Sequence, residues 1–262
     1  MTASDTQLAE AAELLYAAQL GRAPVPPLTE TYPNLDVAQA YRVQRLNLHR
    51  HLNAGAVLCG HKIGLTSAPM QTLLGVDEPD FGHILDTMVM ASGAALPVSA
   101  FCAPRVEPEV AFLLKAPLQG PGVTVADVMA ATGALAPALE IVDSRIADWR
   151  ITLADTIADN ASSGTVVLGD WMPVSLAPPL PKTTAALVVN DTTVGTGHGT
   201  AVMGHPAAAV AWLANALARY QTAVQAGQFV MSGSYTTAVF VHAGDHAVAT
   251  ISGLGTVSVS FQ

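Results

Sequence analysis

Charge is scarce in this chain. Lys, Arg, Asp and Glu make up 12% of its 262 residues, with 11 basic side chains against 20 acidic ones. At a net charge of −9 it lacks the basic surface that phosphate backbones require, which argues against a nucleic-acid partner. Cysteine is nearly absent. Cys59 and Cys102 are too few for a disulfide-built secreted scaffold and read as two small buried hydrophobes, with a single bridge left open. The opening MTASDTQLAEAAELL carries acids and no basic stretch, so no secretory leader is expected. An uncharged apolar run long enough to cross a bilayer is also missing. The expectation is a cytoplasmic protein with no membrane partner.

Several motifs are missing too. GTGHGTAVMG is glycine-rich, but a dinucleotide fingerprint starting at Gly195 and Gly197 needs glycine where Thr200 stands. No P-loop lysine and no G-x-S-x-G elbow occur. His49 with His51, and His242 with His246, lack the partners of a zinc site. What is plentiful is apolar: 51% of the residues are hydrophobic, enough for one large core or two modest ones.

The first part of the chain reads as helical. Ser4 or Asp5 caps a helix that lines up Leu8, Ala11, Ala12 and Leu15. GRAPVPPLTETYP breaks it with four prolines. Asp36 caps a second helix, with Val37, Tyr41, Gln44 and Leu48 on one face and Gly55 at its end. Ser67 resembles an N-cap, followed by Pro69 and stopped by Gly75.

Strands dominate from about Val57. VEPEVAFLL, LAPALEIV, GTVVLG, AVFVHAG, HAVATIS and TVSVSFQ are candidates, and AALVVNDTTVGTG predicts a hairpin turning at Asn190-Asp191. One late helix opens at Pro206 and aligns Val210, Leu213 and Leu217. This order predicts an α+β protein with a mixed or rolled sheet. Residues 1–56 form a small helical part and residues 57–262 the sheet domain.

PRVEPEVAFLL is the most informative strand. Alternation puts Val106, Pro108, Val110, Phe112 and Leu114 on one face and Glu107, Glu109, Ala111 and Leu113 on the other. The two glutamates then stand about 7 Å apart along the strand. Pro108 cannot donate to a ladder, so this end is expected at an edge or rim. Glu140, among Leu139, Ile141 and Val142, is expected to be partly buried. A buried carboxylate needs compensation, and Arg105 and Arg145 are the few cations nearby in sequence. A divalent cation on all-oxygen ligands, Mg²⁺ or Mn²⁺, is one solution. A solvated face with surface ion pairs is the other.

GHKIGLTS, LGVDEPDFG, PRVEPEVAF, ALEIVDSRI, ADNASSG, VMGHPAAAVAWLANAL and MSGS follow one another in this order. Together they resemble the 2-keto-4-pentenoate hydratase / 4-oxalocrotonate decarboxylase family of the fumarylacetoacetate hydrolase superfamily. The resemblance runs from about Gly60 to the C-terminus, and the helical N-terminus also fits. It implies a helical part followed by a mixed β-roll with Mg²⁺ or Mn²⁺ at its mouth, held by Glu107, Glu109 and Glu140. It implies catalytic roles for Lys62, Asp80 and Ser162, and substrate binding at the backbone of Gly64 and Leu65. GTGHG then reads as a loop leading into the helix.

The implied reaction adds water to 2-hydroxypenta-2,4-dienoate, giving 4-hydroxy-2-oxopentanoate in aromatic meta-cleavage catabolism. Decarboxylation of 2-oxo-3-hexenedioate is the alternative, with Arg145 or Arg150 available for its second carboxylate; C–C hydrolysis of an acylpyruvate is a third. The implied partners are a small 2-oxo or 2-hydroxy dienoic acid, further copies of the chain in a homo-oligomer, and a sister enzyme of the same pathway.

Overall fold

In the computed structural model, which describes residues 2–262, both long N-terminal helices start on reciprocal caps. Ser4 Oγ accepts the Gln7 N–H at the start of α1 (Asp5–Gly21), and Gln7 Oε1 accepts the Ser4 N–H in return. After a short α2 (Leu28–Thr31), Asp36 and Gln39 repeat the device at the start of α3 (Val37–Asn53). Leu8, Ala11, Ala12 and Leu15 of α1 are buried as the spacing predicts. The remaining helices are α4 (Ala68–Leu74), α5 (Val125–Ala131), α6 (Leu153–Ala158) and α7 (Pro206–Ala218). α4 begins after Ser67, which makes no side-chain cap, and ends on left-handed Gly75.

The strands are β1 (Leu58–Gly64), β2 (Asp80–Leu85), β3 (Val89–Ala91), β4 (Ala94–Leu96), β5 (Pro104–Leu114), β6 (Thr132–Asp143) and β7 (Ser163–Leu168). They continue with β8 (Met172–Pro173), β9 (Thr184–Val189), β10 (Thr192–His198), β11 (Phe229–Met231), β12 (Val239–Phe240), β13 (His246–Ile251) and β14 (Gly255–Phe261). One sheet runs β2-β1-β11-β5-β6-β7-β3, with β12 added to β5 and β8 to β6; a second runs β10-β9-β13-β14-β4. Both mix parallel and antiparallel pairs.

The β5–β6 pair is the spine. One face carries Val106, Val110, Phe112, Leu135, Leu139 and Ile141, all fully buried. Its Val106, Leu139 and Ile141 pack against Val257, Val259 and Phe261 of the smaller sheet. Val110, Phe112 and Leu135 share a core with the helices, including Val210 and Leu213 of α7. The opposite face carries the small side chains Ala111, Ala136 and Ala138, and the three glutamates lie on it.

Four expectations need correction. α5 and α6 also interrupt the strands; each is a short capped helix of seven or six residues, too brief for apolar periodicity to register. GTGH is the end of strand β10, not a loop: a Cβ on Gly197 would collide with the Tyr235 carbonyl, and one on Gly199 with the Leu180 carbonyl. Pro108 lies in a central strand. Its carbonyl accepts the Tyr235 N–H, so its missing donor faces the gap between β11 and β12, where a loop replaces the neighbouring strand. Finally, Gly199–Ala218 is long and apolar enough to cross a membrane by composition, but within α7 Ala207, Ala209, Val210, Leu213 and Ala214 are fully buried in the core.

Candidate metal and substrate site

Antiparallel register places Glu140 of β6 directly across from Glu107 of β5, and Glu109 across from Ala138. Glu107, Glu109 and Glu140 can each offer an oxygen such that all three lie within 4.8 Å of one another. Glu109 and Glu140 are fully buried and Glu107 is half-buried. Glu109 Oε2 accepts the Gly233 N–H at 2.8 Å. Glu109 Oε1 and both oxygens of Glu140 have no hydrogen-bond donor among the described residues. Burial, and then the neighbouring Glu140, push the Glu107 carboxyl up to about 7. Burial first, and the other carboxylates after it, hold Glu109 well above the usual range. Glu140 is raised chiefly by burial, with Lys62 opposing.

Lys62 arrives on β1 and is 3% exposed, so it is neither a surface lysine nor at a turn. Its Nζ donates to the Ala161 carbonyl at 2.9 Å and stands 3.4 Å from Glu140 Oε1. Burial pulls this ammonium down, but Glu140, Asp80, Glu107 and Glu109 outweigh it, and the net shift is upward. Asp80 is a strand residue, not a loop carboxylate: it opens β2 opposite Gly64. Burial raises its pKa and Lys62 opposes. Its Oδ1 has no donor, and its Oδ2 is 3.5 Å from Thr156 Oγ1. A Cβ on Gly64 would collide with Asp80 Oδ1 and press on Lys62 Nζ, so glycine is what lets these two groups meet. Leu65 follows in a left-handed conformation with φ 57°, a costly backbone state for a branched side chain.

Ser162 lies 3.4 Å from Thr156 Oγ1. It ends a run of three left-handed residues, Asn160, Ala161 and Ser162, with φ of 55°, 51° and 52°. The run is held from two sides. Asn160 Oδ1 accepts the His83 N–H at 2.8 Å, and its Nδ2 donates to the His83 carbonyl at 2.9 Å. On the other side Arg145 donates to Asp159 and to the Asp143 and Ser163 carbonyls. This scaffold aims the Ala161 carbonyl at Lys62.

The predicted residues therefore meet in one place. Lys62, Gly64, Leu65, Asp80, Glu107 and Ser162 line a cleft of about 530 Å³; Glu109 and Glu140 do not line it but are buried next to Glu107, Glu140 against Lys62, and the three form a carboxylate floor. Neither arginine proposed for a second carboxylate is there. Arg145 is buried against Asp159, and Arg150 pairs with Glu30 at 2.7 Å on the surface. The cleft arginine is Arg105. Alternation puts it on the glutamate face, two residues before Glu107. Thr156 and Asn160 have no signal in the sequence, because isolated polar residues in a helix or turn carry no periodicity.

The donor set fits a hard divalent cation. Four buried or half-buried carboxyl groups face one ammonium, and four carboxylate oxygens among them lack any hydrogen bond among the described residues. Such groups remain ionised only beside further positive charge, and all-oxygen ligands suit Mg²⁺ or Mn²⁺.

Comparison with known proteins shows the family and the fold. The chain is 43% identical over 261 residues to a 2-hydroxyhexa-2,4-dienoate hydratase of Comamonas testosteroni, spanning 98% of this chain and 99% of that one. It is 40% identical over 256 residues to a 2-keto-4-pentenoate hydratase of Paraburkholderia xenovorans (strain LB400), spanning 98% and 95%. Its fold matches the solved 4-oxalocrotonate decarboxylase of Pseudomonas putida G7, complexed with magnesium and adipate. There the TM-score is 0.95 and the identity 34%, over 100% of this chain and 99% of that one. A fumarylpyruvate hydrolase of Pseudomonas aeruginosa, in complex with Mn²⁺ and pyruvate, shares the fold at a TM-score of 0.62 and 17% identity, over 77% of this chain and 88% of that one. Residues 60–262 match the family model for the fumarylacetoacetate (FAA) hydrolase C-terminal region, and the chain belongs to that family.

Proposed function

We propose that this chain is a metal-dependent hydratase of 2-hydroxy-2,4-dienoates, converting 2-hydroxypenta-2,4-dienoate to 4-hydroxy-2-oxopentanoate in the meta-cleavage breakdown of aromatic compounds. The observation that carries the reading is the cluster of Glu107 with the buried, under-bonded carboxylates Glu109 and Glu140 beside a buried lysine, in a chain whose full-length hydratase relatives are 40–43% identical. Glu107, Glu109 and Glu140 would hold Mg²⁺ or Mn²⁺. When bound, the cation supplies Lewis-acid stabilisation of negative charge at the substrate's C2 oxygen.

The chain's own groups do the rest. The dienol loses its O2 proton and gains one at C5, becoming a 2-oxo-3-enoate. Water then delivers hydroxide to C4 and a proton to C3. Lys62 places an ammonium next to the carboxylate floor, where it stabilises developing charge at O2. Asp80, with its raised pKa, moves the proton or orients the water. Ser162 orients substrate or water, and the backbone N–H groups near Gly64 and Leu65 receive the substrate carboxylate. Burial of Lys62, Asp80 and Glu140 excludes bulk water and strengthens each charge interaction.

Decarboxylation of 2-oxo-3-hexenedioate is the second reading, favoured by the 0.95 TM-score match to a decarboxylase. It uses the same floor, with CO₂ leaving in place of water addition. The proposal further includes residues 1–56 and 57–262 as helical part and catalytic domain, a cytoplasmic location, and a homo-oligomer able to associate with a sister enzyme. These rest on the family resemblance; light scattering after size exclusion tests the oligomer. The deciding experiment is an ultraviolet assay of the Mg²⁺-loaded protein on both acids with product identification. Formation of 4-hydroxy-2-oxopentanoate is expected. Release of CO₂ without hydration would overturn the hydratase reading, and no turnover of either acid would overturn both.

A further inference from the structure

Arg105 stands at the cleft with no counter-ion. It lies on the glutamate face of β5, on the far side of Glu107 from Glu109, and is half-buried. Its guanidinium carbon is 4.2 Å from the ring centroid of Trp149 and 4.1 Å from that of Phe240. Trp149 is itself pinned by a hydrogen bond from Nε1 to the Ala103 carbonyl at 3.1 Å. Two aromatic rings thus brace the guanidinium, and its N–H edge is left for another partner.

No such partner is present among the described residues. Arg105 Nε is buried without a hydrogen bond, and no carboxylate lies within 4 Å of the side chain. Arg42, Arg50, Arg145 and Arg150 are paired with Asp5, Glu13, Asp159 and Glu30 respectively; Arg22, Arg45 and Arg219 have no ion pair among the described residues either, but none of them lines the cleft. In a chain of net charge −9 an unpaired arginine is not for want of acids. Glu107, its neighbour on the same face, belongs to the carboxylate floor instead.

We infer that Arg105 is a carboxylate-binding group of this cleft, its braced planar fork receiving a carboxylate of the organic-acid substrate. Guanidinium donors match a carboxylate in two parallel hydrogen bonds, and the aromatic brace lowers the ordering cost of making them. The inference rests on the proposed function only for the kind of acid that enters. Two carboxylates could supply this chemistry: C1, present in every 2-oxo acid, or a distal carboxylate, present only in a dicarboxylate.

The test uses the Mg²⁺-loaded full chain and direct calorimetric binding of 2-oxohexanoate and 2-oxoadipate, which differ only in the distal carboxylate. Arg105→Met is expected to weaken binding about 10- to 100-fold, as loss of a hydrogen bond to a charged group does, and Arg105→Lys to recover part of it. Equal weakening of both acids assigns the C1 carboxylate; weakening of 2-oxoadipate alone assigns the distal one. Phe240→Ala removes an exposed ring that braces the guanidinium, and it should weaken the same acid by a smaller factor, so a folding defect in Arg105→Met does not block the answer. Unchanged binding of both acids by Arg105→Met and Phe240→Ala overturns the inference, as does wild-type protein that binds neither acid. Wild-type protein that binds them without hydrating a dienoate leaves the role of Arg105 standing and removes the hydratase reading.

Discussion

Two buried cation–carboxylate pairs lie on either side of the Asn160–Ser162 turn, and they are built to opposite rules. Arg145 and Asp159 meet at 2.5 Å, and the guanidinium also reaches the Asp143, Asp159 and Ser163 carbonyls. Asp159 Oδ2 accepts the Arg145 backbone N–H at 2.9 Å. Lys62 and Glu140 stand 3.4 Å apart, and both Glu140 oxygens lack a hydrogen bond. Both pairs are almost wholly buried. A buried charge with every partner filled holds the chain in place. A buried carboxylate left short of partners is under tension that a ligand can relieve. The first pair is scaffold and the second belongs to the candidate site.

The comparison can be broken most severely at the carboxylate floor. Glu109→Gln should abolish Mg²⁺-dependent turnover and weaken Mg²⁺ binding by more than ~100-fold, since outer-shell changes alone cost 10–100-fold. Calorimetric metal titration measures the loss, and circular dichroism should show the fold retained. Unchanged activity would remove the metal assignment.

Arg145→Met should strike stability instead. Leaving Asp159 buried without its partner costs about 3–5 kcal/mol, read from urea unfolding with Mg²⁺ present. A loss below about 1 kcal/mol would deny the pair its structural role.

Lys62→Met reverses the pattern. It should lower kcat by about 10²–10³, the range for loss of one oxyanion donor, with a smaller change in Mg²⁺ affinity. Loss of metal binding alone would contradict its place on the substrate side. Asn160→Ala sharpens the same contrast, because this side chain bonds only to the His83 backbone and acts through the Ala161 carbonyl. A kcat loss of up to about 10²-fold, the cost of a misplacement near 1 Å, is expected with little change in KM. An equal effect on KM and kcat would argue against positioning.

The smallest effect is in pH. A carboxyl raised by folding binds its proton more tightly in the native state, so stability falls as pH rises from its ordinary 4.5 through its folded value. Glu107 is pushed up to about 7, and Glu109 and Glu140 are also raised. Metal-free protein should therefore melt at lower temperature at pH 8 than at pH 6, by about 2–4 °C for each kcal/mol involved. Mg²⁺ should raise the melting temperature more at pH 8 than at pH 6. A metal-free melting temperature that rises with pH would contradict the upward shifts.

Much of the architecture was legible in local pattern. Ser4 and Asp36 announced their helices because capping is a short-range hydrogen-bond arrangement. Asn190 and Asp191 announced the β9–β10 hairpin, and both adopt the left-handed conformation with φ of 48° and 64°. β2 was harder. Asp80 reads as a loop carboxylate until β1 is beside it, for strand character there comes from pairing with β1 rather than from composition.

The site divides along the same line. Sequence by itself put Glu107 and Glu109 on one face of β5, because side-chain alternation is a local property of an extended chain, and the same alternation carries Arg105 onto that face once β5 is seen to begin at Pro104. It also set the acidic balance that leaves Arg105 without a counter-ion only if the fold withholds one. Tertiary structure alone decided that Glu140 lies across from Glu107, that Lys62 is buried against Glu140, and that Arg145 goes to Asp159 rather than to substrate. Those outcomes depend on strand register and on contacts between residues 14 to 99 positions apart. Their free energy comes from burying β5 and β6 between two cores, and no local stretch of residues encodes that.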